Sequence, residues 1–282
     1  MSSSQSINRL GTIEAFFRLL EENVGISLDI SKEYLLSSRL DSLARDRGFS
    51  GYLPFLECLL TTPLGHEHWQ AFEAMTTNET MFFRDRFPFE ILRDSVIPEI
   101  IAKKSSSREL NIWCAAASSG QEPYSLAILL KESFPHILDW KINFFATDIC
   151  DQVLGRAEEA IYSDMEVHRG LSDEQIARHF TSLSGGSYQL KSDIKELIKF
   201  SKLNLIKDWL PMPKFDLVLI RNALIYFNKD IKDVVLKKIS SQLSDDGFLL
   251  LGASESLLLN PDYIAKQYAN LRFYKKGSPW NT

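Results

Sequence analysis

The sequence predicts an α/β protein in which a helical amino-terminal domain precedes a doubly wound parallel sheet. Two observations lead to this fold class. The first hundred residues show helical periodicity and end in a polar, serine-containing segment at residues 103–108. Beyond it, short apolar runs alternate with helical patterns, as in the βαβ units that build parallel sheets.

The amino-terminal helices are predicted from the spacing of apolar residues. Thr12 is a candidate cap for a first helix. Either Asp29 or Ser31 is a candidate cap for a second helix, which Gly48 would end. The apolar faces of these two helices are Ile13, Phe16, Phe17 and Leu20 in the first and Leu36, Leu40 and Leu43 in the second.

Shorter helical patterns complete this part of the chain. They lie at residues 51–60 and 68–75, and a helix over residues 87–103 leads into the polar segment. We therefore predict a helical domain over residues 1–85 and a linking helix and linker over residues 86–108.

Residues 109–282 are predicted to form the sheet. The apolar runs show no alternation, as expected of strands buried on both faces; they lie at residues 110–114, 142–146, 215–220 and 248–252. Between residues 180 and 202 the pattern changes, because a Gly185-Gly186 turn lies among β-rich segments at 188–190 and 198–200. This stretch predicts a small antiparallel insertion.

Composition excludes several classes of protein. With 45% hydrophobic residues, 18 phenylalanines and 5 tryptophans, the 282-residue chain can form a packed core. The net charge of −5 argues against a protein that coats nucleic acid. No apolar run approaches the roughly 20 residues that span a bilayer, so we expect no direct membrane insertion. The absence of an apolar leader and the 3 cysteines predict a cytoplasmic location.

Candidate ligand contacts follow the ends of the predicted strands, where open α/β sheets bind ligands. A loop of small residues at 115–123 follows the first strand, but its single glycine matches no dinucleotide or P-loop pattern. A tight strand–helix turn explains this loop equally well. Asp148 follows the second strand, where an acidic residue can accept hydrogen bonds from both ribose hydroxyls; the alternative is a helix cap, a role that Asp151 could also take.

A charged pair of residues follows a later strand. Arg221 and Asn222 come directly after residues 215–220, and an arginine at that place must be paired or face a cleft. The alternative is a structural pair between Arg221 and an aspartate. Upstream, residues 76–85 place two hydroxyls, an amide and an arginine around Phe82 and Phe83, an arrangement that a helix–helix corner explains equally well.

The sequence His66-x-His68 has the spacing of a metal site. No cysteine or second histidine cluster accompanies it, so we predict a surface loop and no metal site.

Taken together, these segments resemble the CheR family of chemotaxis-receptor glutamate O-methyltransferases over nearly the whole chain. Each motif is modest alone, but their order and spacing are specific. The motifs are TTNETMFFRD at 76–85, IWCAAASSGQEPYS at 112–125, ATDI at 146–149, LNL at 203–205, FDLVLIRNALIYF at 215–227 and LLLGASES at 249–256.

The resemblance implies a helical receptor-docking domain and a Rossmann-like methyltransferase domain that binds S-adenosylmethionine and releases S-adenosylhomocysteine. It implies methyl transfer to glutamate carboxylates of methyl-accepting chemotaxis receptors. It also implies that Arg84 and Tyr226 orient the incoming carboxylate. The implied cofactor contacts are Asn78, Thr80, Arg84, Glu122, Asp148, Asn204, Leu205, Arg221 and Asn222, with Asp148 at the ribose, Asn204 and Leu205 at the adenine, and Asn78, Thr80 and Arg84 at the methionine end.

Two positions depart from the family pattern. Gln121 stands where the family often has Glu, and Ala253 stands where a His is common before Ser-Glu. The short loop at Gly185-Gly186 is similar to that of members that need no carboxy-terminal pentapeptide tether on the receptor. Arg39, Arg45 and Arg47 are predicted to lie on the exposed side of the second helix, and a solvated face is one explanation for them. In the family, this helix meets the acidic methylation helices of the receptor, so docking is the other explanation.

The chemistry fits these residues, because a glutamate side chain is already ionised at neutral pH and needs no general base. Two alternatives remain at this point. One is a non-catalytic S-adenosylmethionine-binding signalling module, and the other is a methyltransferase of a small carboxylic acid.

Overall fold

The computed structural model describes residues 2–257 and 260–277, which form two compact units. The first unit contains residues up to Thr77 together with residues 205–207 and 225–234. Its helices are α1 (Ser2–Val24), α2 (Tyr34–Asp46), α3 (Tyr52–Thr61) and α4 (His66–Met75).

The apolar faces predicted for the first two helices are largely confirmed. Ile13, Phe16, Phe17 and Leu20 of α1 are all buried, as are Leu36 and Leu40 of α2. Leu43 is only half-buried, and Ala44 completes the buried face of α2 instead. Gly48 follows the end of α2 with a φ of +83°, a backbone conformation that favours glycine.

The predicted caps differ from those observed. Thr12 lies inside α1, because the helix begins at Ser2. The Asp29 side chain does act as a cap and accepts a hydrogen bond from the Ser31 N–H over 2.8 Å. It caps a short 3-10 turn, which leads into α2 at Tyr34.

The two inserted segments join the first unit through contacts with the end of α1. The Ser27 N–H donates to the Tyr226 carbonyl over 2.9 Å, and the Asn228 amide donates to Glu21 over 2.7 Å. A Cβ on Gly25 would lie 2.8 Å from the Ile206 side chain. These contacts place Tyr226 in the helical unit.

The second unit contains the sheet domain. Its helices are α5 (Phe87–Ile91), α6 (Ile97–Lys104), α7 (Gln121–Ser133), α8 (Asp151–Glu159), α9 (Asp164–His168), α10 (Asp173–His179), α11 (Ser192–Lys195) and most of α12 (Lys229–Gln242). Its strands are β1 (Glu109–Ala115), β2 (Lys141–Asp148), β3 (Ile161–Ser163), β4 (Phe180–Leu183), β5 (Ser187–Leu190), β6 (Ile198–Lys202), β7 (Phe215–Ile220), β8 (Leu243–Leu251), β9 (Tyr263–Tyr268) and β10 (Leu271–Lys276).

The large sheet confirms the predicted doubly wound fold. Its seven strands follow the order β6-β2-β1-β7-β8-β10-β9. The first five strands are parallel, and β10 is antiparallel to both β8 and β9. From β1 the chain continues to β2 on one side of β1, whereas β7, which comes later in the chain, lies on its other side. The order in which strands are added therefore reverses next to β1. Such a switch point is where doubly wound folds bind ligands.

A small antiparallel sheet is present, but it contains only part of the residues that were predicted to form it. It consists of β3, β5 and β4 in that order. Residues 198–200, which were predicted as part of it, belong to β6 and pair in parallel with β2. The polar, half-exposed character of β6 suits an edge strand of the large sheet, and this is why it lacks the apolar run of a central strand.

The helix predicted over residues 87–103 forms as α5, a π-helical stretch at Leu92–Val96 and α6. Phe89, Leu92 and Val96 are buried in the core of the sheet domain. Residues 86–108, predicted as a link between domains, therefore lie inside the second unit, which begins at Asn78. Within the described residues, no helix combines the length and the apolar character needed to cross a bilayer.

Candidate functional site

The carboxyl ends of the parallel strands lie along one edge of the large sheet, because β1, β2, β6 and β7 run in the same direction. Asp148 ends β2, and Arg221 and Asn222 follow β7 directly. The loop after β1 leads into α7, which begins at Gln121. The strand-end residues singled out in the sequence are therefore brought to one edge.

The loop after β1 has an unusual backbone. Ala116, Ser118 and Gly120 have φ angles of +58°, +49° and +93°. Residues with side chains adopt this region at a cost of about 1 kcal/mol or more, and such strain is concentrated at functional sites. The Tyr162 hydroxyl donates to the Ser119 carbonyl over 2.7 Å and helps to hold the loop. The conformation favours a ligand-binding loop over a plain strand–helix turn.

Asp148 is buried, and its carboxylate joins two loops. One oxygen accepts a hydrogen bond from the Ser118 N–H over 2.8 Å, and the other accepts from the Cys150 N–H over 3.1 Å. Cys150 precedes α8, so Asp148 also takes part in the turn before that helix. Asp151 does not cap α8 with its side chain, but forms an ion pair with Lys202 at 2.6 Å.

Residues 78–86 form an irregular segment that is hydrogen-bonded to the loop after β1 and to α7. The Ser118 hydroxyl donates to the Asn78 carbonyl over 2.8 Å. Further along, the Phe83 N–H donates to the Ser125 hydroxyl over 2.8 Å. Thr80 lies between these two hydrogen-bonded residues, and Arg84 directly follows Phe83. Both side chains are partly exposed. The segment therefore carries three of the residues that the family resemblance assigns to the cofactor.

Arg221 lies between two carboxylates at the switch point of the sheet. Its guanidinium donates to Glu122 over 2.8 Å and to Asp85 over 2.7 Å. The Arg221 side chain is only 1% exposed. Burial raises the pKa of Glu122, and the positive charge of Arg221 opposes that shift. The Arg–Asp structural pair considered from sequence is thus present, with a glutamate added.

One polar atom of this cluster has no partner. The Nε of Arg221 is buried and makes no hydrogen bond within the part of the chain that the structure describes. A buried donor without an acceptor is costly, so this atom is suited to an acceptor supplied by a ligand.

Asn222 is held by the segment that follows β8. Its φ is +59°, and its N–H donates to the Glu255 carboxylate over 2.9 Å. The same carboxylate oxygen accepts from the Gly252 N–H over 2.8 Å. A Cβ on Gly252 would lie 2.8 Å from the Asn222 nitrogen, so the close approach of the two strand ends requires glycine here.

The remaining predicted site residues divide between the two units. Asn204 follows β6 in the sheet domain, and its carbonyl accepts a hydrogen bond from the Trp209 indole over 3.2 Å. Arg84 donates to the Glu79 carbonyl over 3.1 Å. Leu205 and Tyr226 belong to the helical unit, where Leu205 is buried and Tyr226 is half-buried.

The three arginines predicted on the exposed side of α2 are not equivalent. Arg39 is half-buried and donates to the carbonyls of Met75 and Thr76 over 2.5 and 2.9 Å, so its predicted exposure is wrong. Arg47 forms an ion pair with Glu67 at 2.7 Å. Arg45 is exposed, and it makes no ion pair within the described ranges. The residues that engage Arg39 and Arg47 follow or lie on α4, a tertiary contact that the sequence of α2 does not reveal.

His68 is a structural residue. It lies in α4 rather than in a surface loop, it is only 3% exposed, and its ring contacts the Leu59 carbonyl at 2.8 Å. Across residues 2–257 and 260–277 there is no group of three metal-binding side chains placed to hold an ion.

The two departures from the family pattern differ in their surroundings. Gln121 is buried and accepts a hydrogen bond from the Ser119 hydroxyl over 2.8 Å, whereas Ala253 is exposed.

Three contributors to the site were not identified from the sequence. Asp85, Ser118 and Glu255 all hydrogen-bond predicted site residues or their backbone. All three lie inside a family motif, so position within a motif was the available signal. Residue type alone carried none.

Comparison with known proteins identifies the family. Residues 78–271 match the family model described as "CheR methyltransferase, SAM binding domain", and residues 12–76 match "CheR methyltransferase, all-alpha domain". Chemotaxis protein methyltransferase Cher2 of Pseudomonas putida is 38% identical over 253 residues, which is 89% of this chain and 92% of that protein. Chemotaxis protein methyltransferase 1 of Vibrio cholerae is 40% identical over 245 residues, which is 86% of this chain and 88% of that protein.

Among solved structures, the glycopeptide N-methyltransferase MtfA complexed with S-adenosyl-L-methionine is similar with a TM-score of 0.33 and 13% identity. The similarity covers 63% of this chain and 57% of that one.

The cofactor of the sheet domain is S-adenosylmethionine (SAM), as its family model states. The residues at the strand edge fit this molecule. The unpartnered Nε of Arg221 is a donor suited to a carboxylate, and the carboxylates of Asp148 and Glu122 are suited to hydroxyl and ammonium groups. Both a carboxylate and an ammonium group occur on the methionine part of SAM, and ribose carries the hydroxyls.

Proposed function

This chain belongs to the CheR methyltransferase family and is a SAM-dependent methyltransferase of the chemotaxis type, and we propose that its acceptors are glutamate carboxylates of methyl-accepting chemotaxis receptors. The product of this reaction is a glutamate methyl ester. The proposal places the enzyme in the cytoplasm, where the methylated part of such a receptor lies.

The pairing of the site carboxylates is the observation that carries the proposal. Asp148 accepts from two backbone N–H groups, and Glu122 and Asp85 both accept from Arg221. Because these oxygens already accept hydrogen bonds from donors of the chain itself, the carboxylates are not directed at a proton of an acceptor. An amine acceptor would have to lose a proton, whereas a glutamate carboxylate with a pKa near 4.3 is ionised at neutral pH. These contacts therefore favour an acceptor that needs no base.

Bound SAM supplies an activated methyl group on a sulfonium, which is open to in-line attack by a nucleophile. The chain's own contribution is orientation and exclusion of water, which are large effects when two reactants are held in line. In this proposal the Arg84 guanidinium binds the acceptor carboxylate and directs it, since a guanidinium matches the geometry of a carboxylate. Tyr226 donates a hydrogen bond to the same carboxylate. Both assignments rest on the family resemblance.

The proposed cofactor contacts follow the same resemblance. Asp148 holds the ribose, Asn204 and Leu205 flank the adenine, and Arg221 and Asn222 contribute at the end of β7. Asn78 and Thr80, with Arg84, hold the methionine end, and Glu122 adds a carboxylate there. The hydrogen bonds that fix Asn78, Asp148 and Arg221 support these assignments.

Receptor docking is proposed for α2 of the helical unit. Of the three arginines there, Arg45 is the best candidate for a direct contact with an acidic helix, because it is exposed and Arg39 and Arg47 are engaged within the unit.

The turn between β4 and β5 is formed by residues 184–186, with Gly185 and Gly186 at φ angles of +84° and +75°. We propose that so short a turn needs no pentapeptide tether, and that receptors without their last five residues are methylated at an unchanged rate.

The test is transfer of labelled methyl from SAM to receptor-containing membranes, followed by treatment with base. Methyl esters are base-labile, so the proposal expects label that is released by base and absent when the acceptor glutamates are replaced by alanine. Base-stable label would indicate an amine acceptor. Label found only on small carboxylic acids, with none on the membranes, would contradict the receptor assignment.

A further inference from the structure

The turn that carries Arg84 has a strained backbone. Phe83, Asp85 and Arg86 have φ angles of +48°, +68° and +45°. Each residue with a side chain loses roughly 1–2 kcal/mol in the left-handed region. A turn with several such residues keeps its shape only when surrounding groups hold it, and this kind of strain is typical of functional sites.

The segment that leads into this turn is anchored, and the turn itself is closed by backbone hydrogen bonds. Before it, the Phe82 ring is fully buried, with its centroid 5.0 Å from that of Tyr162. The Phe83 N–H donates to the Ser125 hydroxyl. Within the turn, the Arg86 N–H donates to the Phe83 carbonyl over 2.8 Å, and the Phe87 N–H donates to the Asp85 carbonyl over 2.5 Å. None of these hydrogen bonds is made by the carbonyl of the Arg84 peptide.

That peptide is held by Arg221. One nitrogen of the Arg221 guanidinium donates both to the Arg84 carbonyl, over 3.2 Å, and to the Asp85 carboxylate, over 2.7 Å. The Asp85 side chain is 42% exposed, whereas that of Arg221 is 1% exposed. Asp85 thus draws this nitrogen of a buried arginine toward the turn, while Glu122 holds the other side of the guanidinium.

We infer that Asp85 is a positioning residue for methyl transfer, which acts through Arg221 to fix the Arg84 peptide and hence the direction of the Arg84 side chain. The inference rests on the proposed function, because it takes Arg84 as the group that meets the acceptor carboxylate. Asp85 itself touches neither acceptor nor methyl group. Its carboxylate sets the geometry of the turn.

Asp85→Asn isolates this role. Asparagine has nearly the same size and tolerates the left-handed region as well as aspartate does, so the backbone preference of the position is preserved. Arg221 keeps Glu122 as a partner, so no buried charge is left unpaired. Only the charged hydrogen bond between residue 85 and Arg221 is weakened. The matched control is Asp94→Asn, which removes an equally charged partner of an arginine, Arg93, at an exposed position.

The experiment measures three quantities on the full chain. They are the rate of base-labile methyl transfer at saturating SAM, the Kd of S-adenosylhomocysteine by calorimetry, and the hydrogen exchange of the amides at residues 84–87. For Asp85→Asn we expect kcat to fall about tenfold, because misplacement of an orienting group has effects of this size. The Kd should stay within about twofold, because Arg84 shares the methionine end with Asn78 and Thr80, and exchange in the turn should be faster. Asp94→Asn should match the wild type in all three.

Other outcomes overturn the inference. A fall in S-adenosylhomocysteine affinity in parallel with the rate would assign Asp85 to the cofactor pocket. An unchanged rate, or a lower rate with unchanged exchange, would show that Asp85 does not act by holding the turn. If the wild type itself transfers no base-labile methyl, the proposed function fails. In that case the hydrogen exchange of the amides at residues 84–87 tests separately whether Asp85 holds the turn. Faster exchange in Asp85→Asn than in the wild type supports this role, and equal exchange refutes it.

Discussion

Gly170 packs directly against the backbone of Phe82. A Cβ on Gly170 would lie 1.9 Å from the Phe82 carbonyl oxygen and 2.7 Å from its carbonyl carbon. The turn after α9 therefore supports the segment that leads to Arg84, and only glycine permits the contact.

Gly170→Ala is expected to destabilise the sheet domain strongly. The methyl group cannot be accommodated without moving one of two backbones, and overpacking of this kind costs about 1–3 kcal/mol or more. The melting temperature should fall by several degrees, on the order of 2–4 °C for each kcal/mol in a protein of this size. Differential scanning calorimetry measures the change.

Gly155→Ala is the control for that substitution. Gly155 lies in α8, and a Cβ added there would point into open space. Alanine is the better helix former by roughly 1 kcal/mol, so the melting temperature should stay the same or rise. If Gly170→Ala melts at the same temperature as Gly155→Ala, Gly170 does not pack against Phe82 as closely as this account requires.

Arg39 and Arg45 are predicted to have separable roles. Arg39→Ala removes the donor that binds the Met75 and Thr76 carbonyls at the end of α4, and should destabilise the helical unit by about 1–3 kcal/mol. Arg45→Glu should leave stability within about 0.5 kcal/mol, because exposed substitutions have small effects. Thermal melts of the two variants distinguish these expectations.

Arg45→Glu should instead raise the KM for receptor membranes at low salt. The charge reversal opposes docking on an acidic surface, and this effect should disappear near 1 M salt, where the Debye length is about 3 Å. A KM equal to that of the wild type across the salt range would remove α2 from the docking surface.

Glu99 connects α6 to the β9–β10 hairpin of the sheet domain. Its carboxylate accepts from Lys266 over 2.5 Å, from Tyr268 over 3.1 Å and from Lys275 over 3.2 Å. Burial alone would raise the pKa of Glu99, but these hydrogen bonds outweigh it and lower the pKa from 4.5 to about 2. The ionised form is therefore the one that stabilises the fold.

Glu99→Gln should lower the free energy of unfolding by about 1 kcal/mol at pH 7, a modest value because the group is partly exposed. A depressed pKa gives stability that is present above the unfolded pKa of 4.5 and is lost as the pH falls through about 2. The difference between wild type and variant should thus shrink below pH 4.5, as followed by urea unfolding. Glu90→Gln, an exposed site on α5, is the control, and a difference that grows on acidification would contradict this account.

The central strands and the strand-end residues were predictable from sequence because both depend on residue type. Strands buried on both faces are continuous apolar runs, so β1, β2, β7 and β8 were found. The β9–β10 hairpin was missed, because most of its residues are half-buried or exposed and they include several lysines, so it has no continuous apolar run. The edge strand β6 was assigned to the wrong sheet, since the residue types of a polar strand do not show which strand it pairs with.

The site was also predictable only in part, where a residue type stands out against the apolar strand before it. Asp148 and Arg221 stand out as charged residues after apolar runs. Asp85 and Ser118 contribute through left-handed backbone conformations and hydrogen bonds to distant segments, which residue types do not disclose. Arg39 was expected to be exposed because the spacing of α2 cannot show that the end of α4 covers it.

Arg84 is the residue on which the proposed orientation of the acceptor depends. Arg84→Ala should reduce transfer by about a hundredfold or more, because an orienting charged group is lost. Arg84→Lys keeps the charge but not the two-pronged geometry, so its activity should lie between those of alanine and arginine. Full activity in Arg84→Ala would exclude Arg84 from the acceptor site.

The most direct test of the central claim is the chemical form and position of methyl transferred to receptor membranes. Wild-type protein incubated with methyl-labelled SAM should produce base-labile label on receptor glutamates, identified by mass spectrometry as methyl esters, and Arg84→Ala should produce almost none. Base-stable label on lysine, or no label on receptors from a protein that binds S-adenosylhomocysteine normally, would contradict the account.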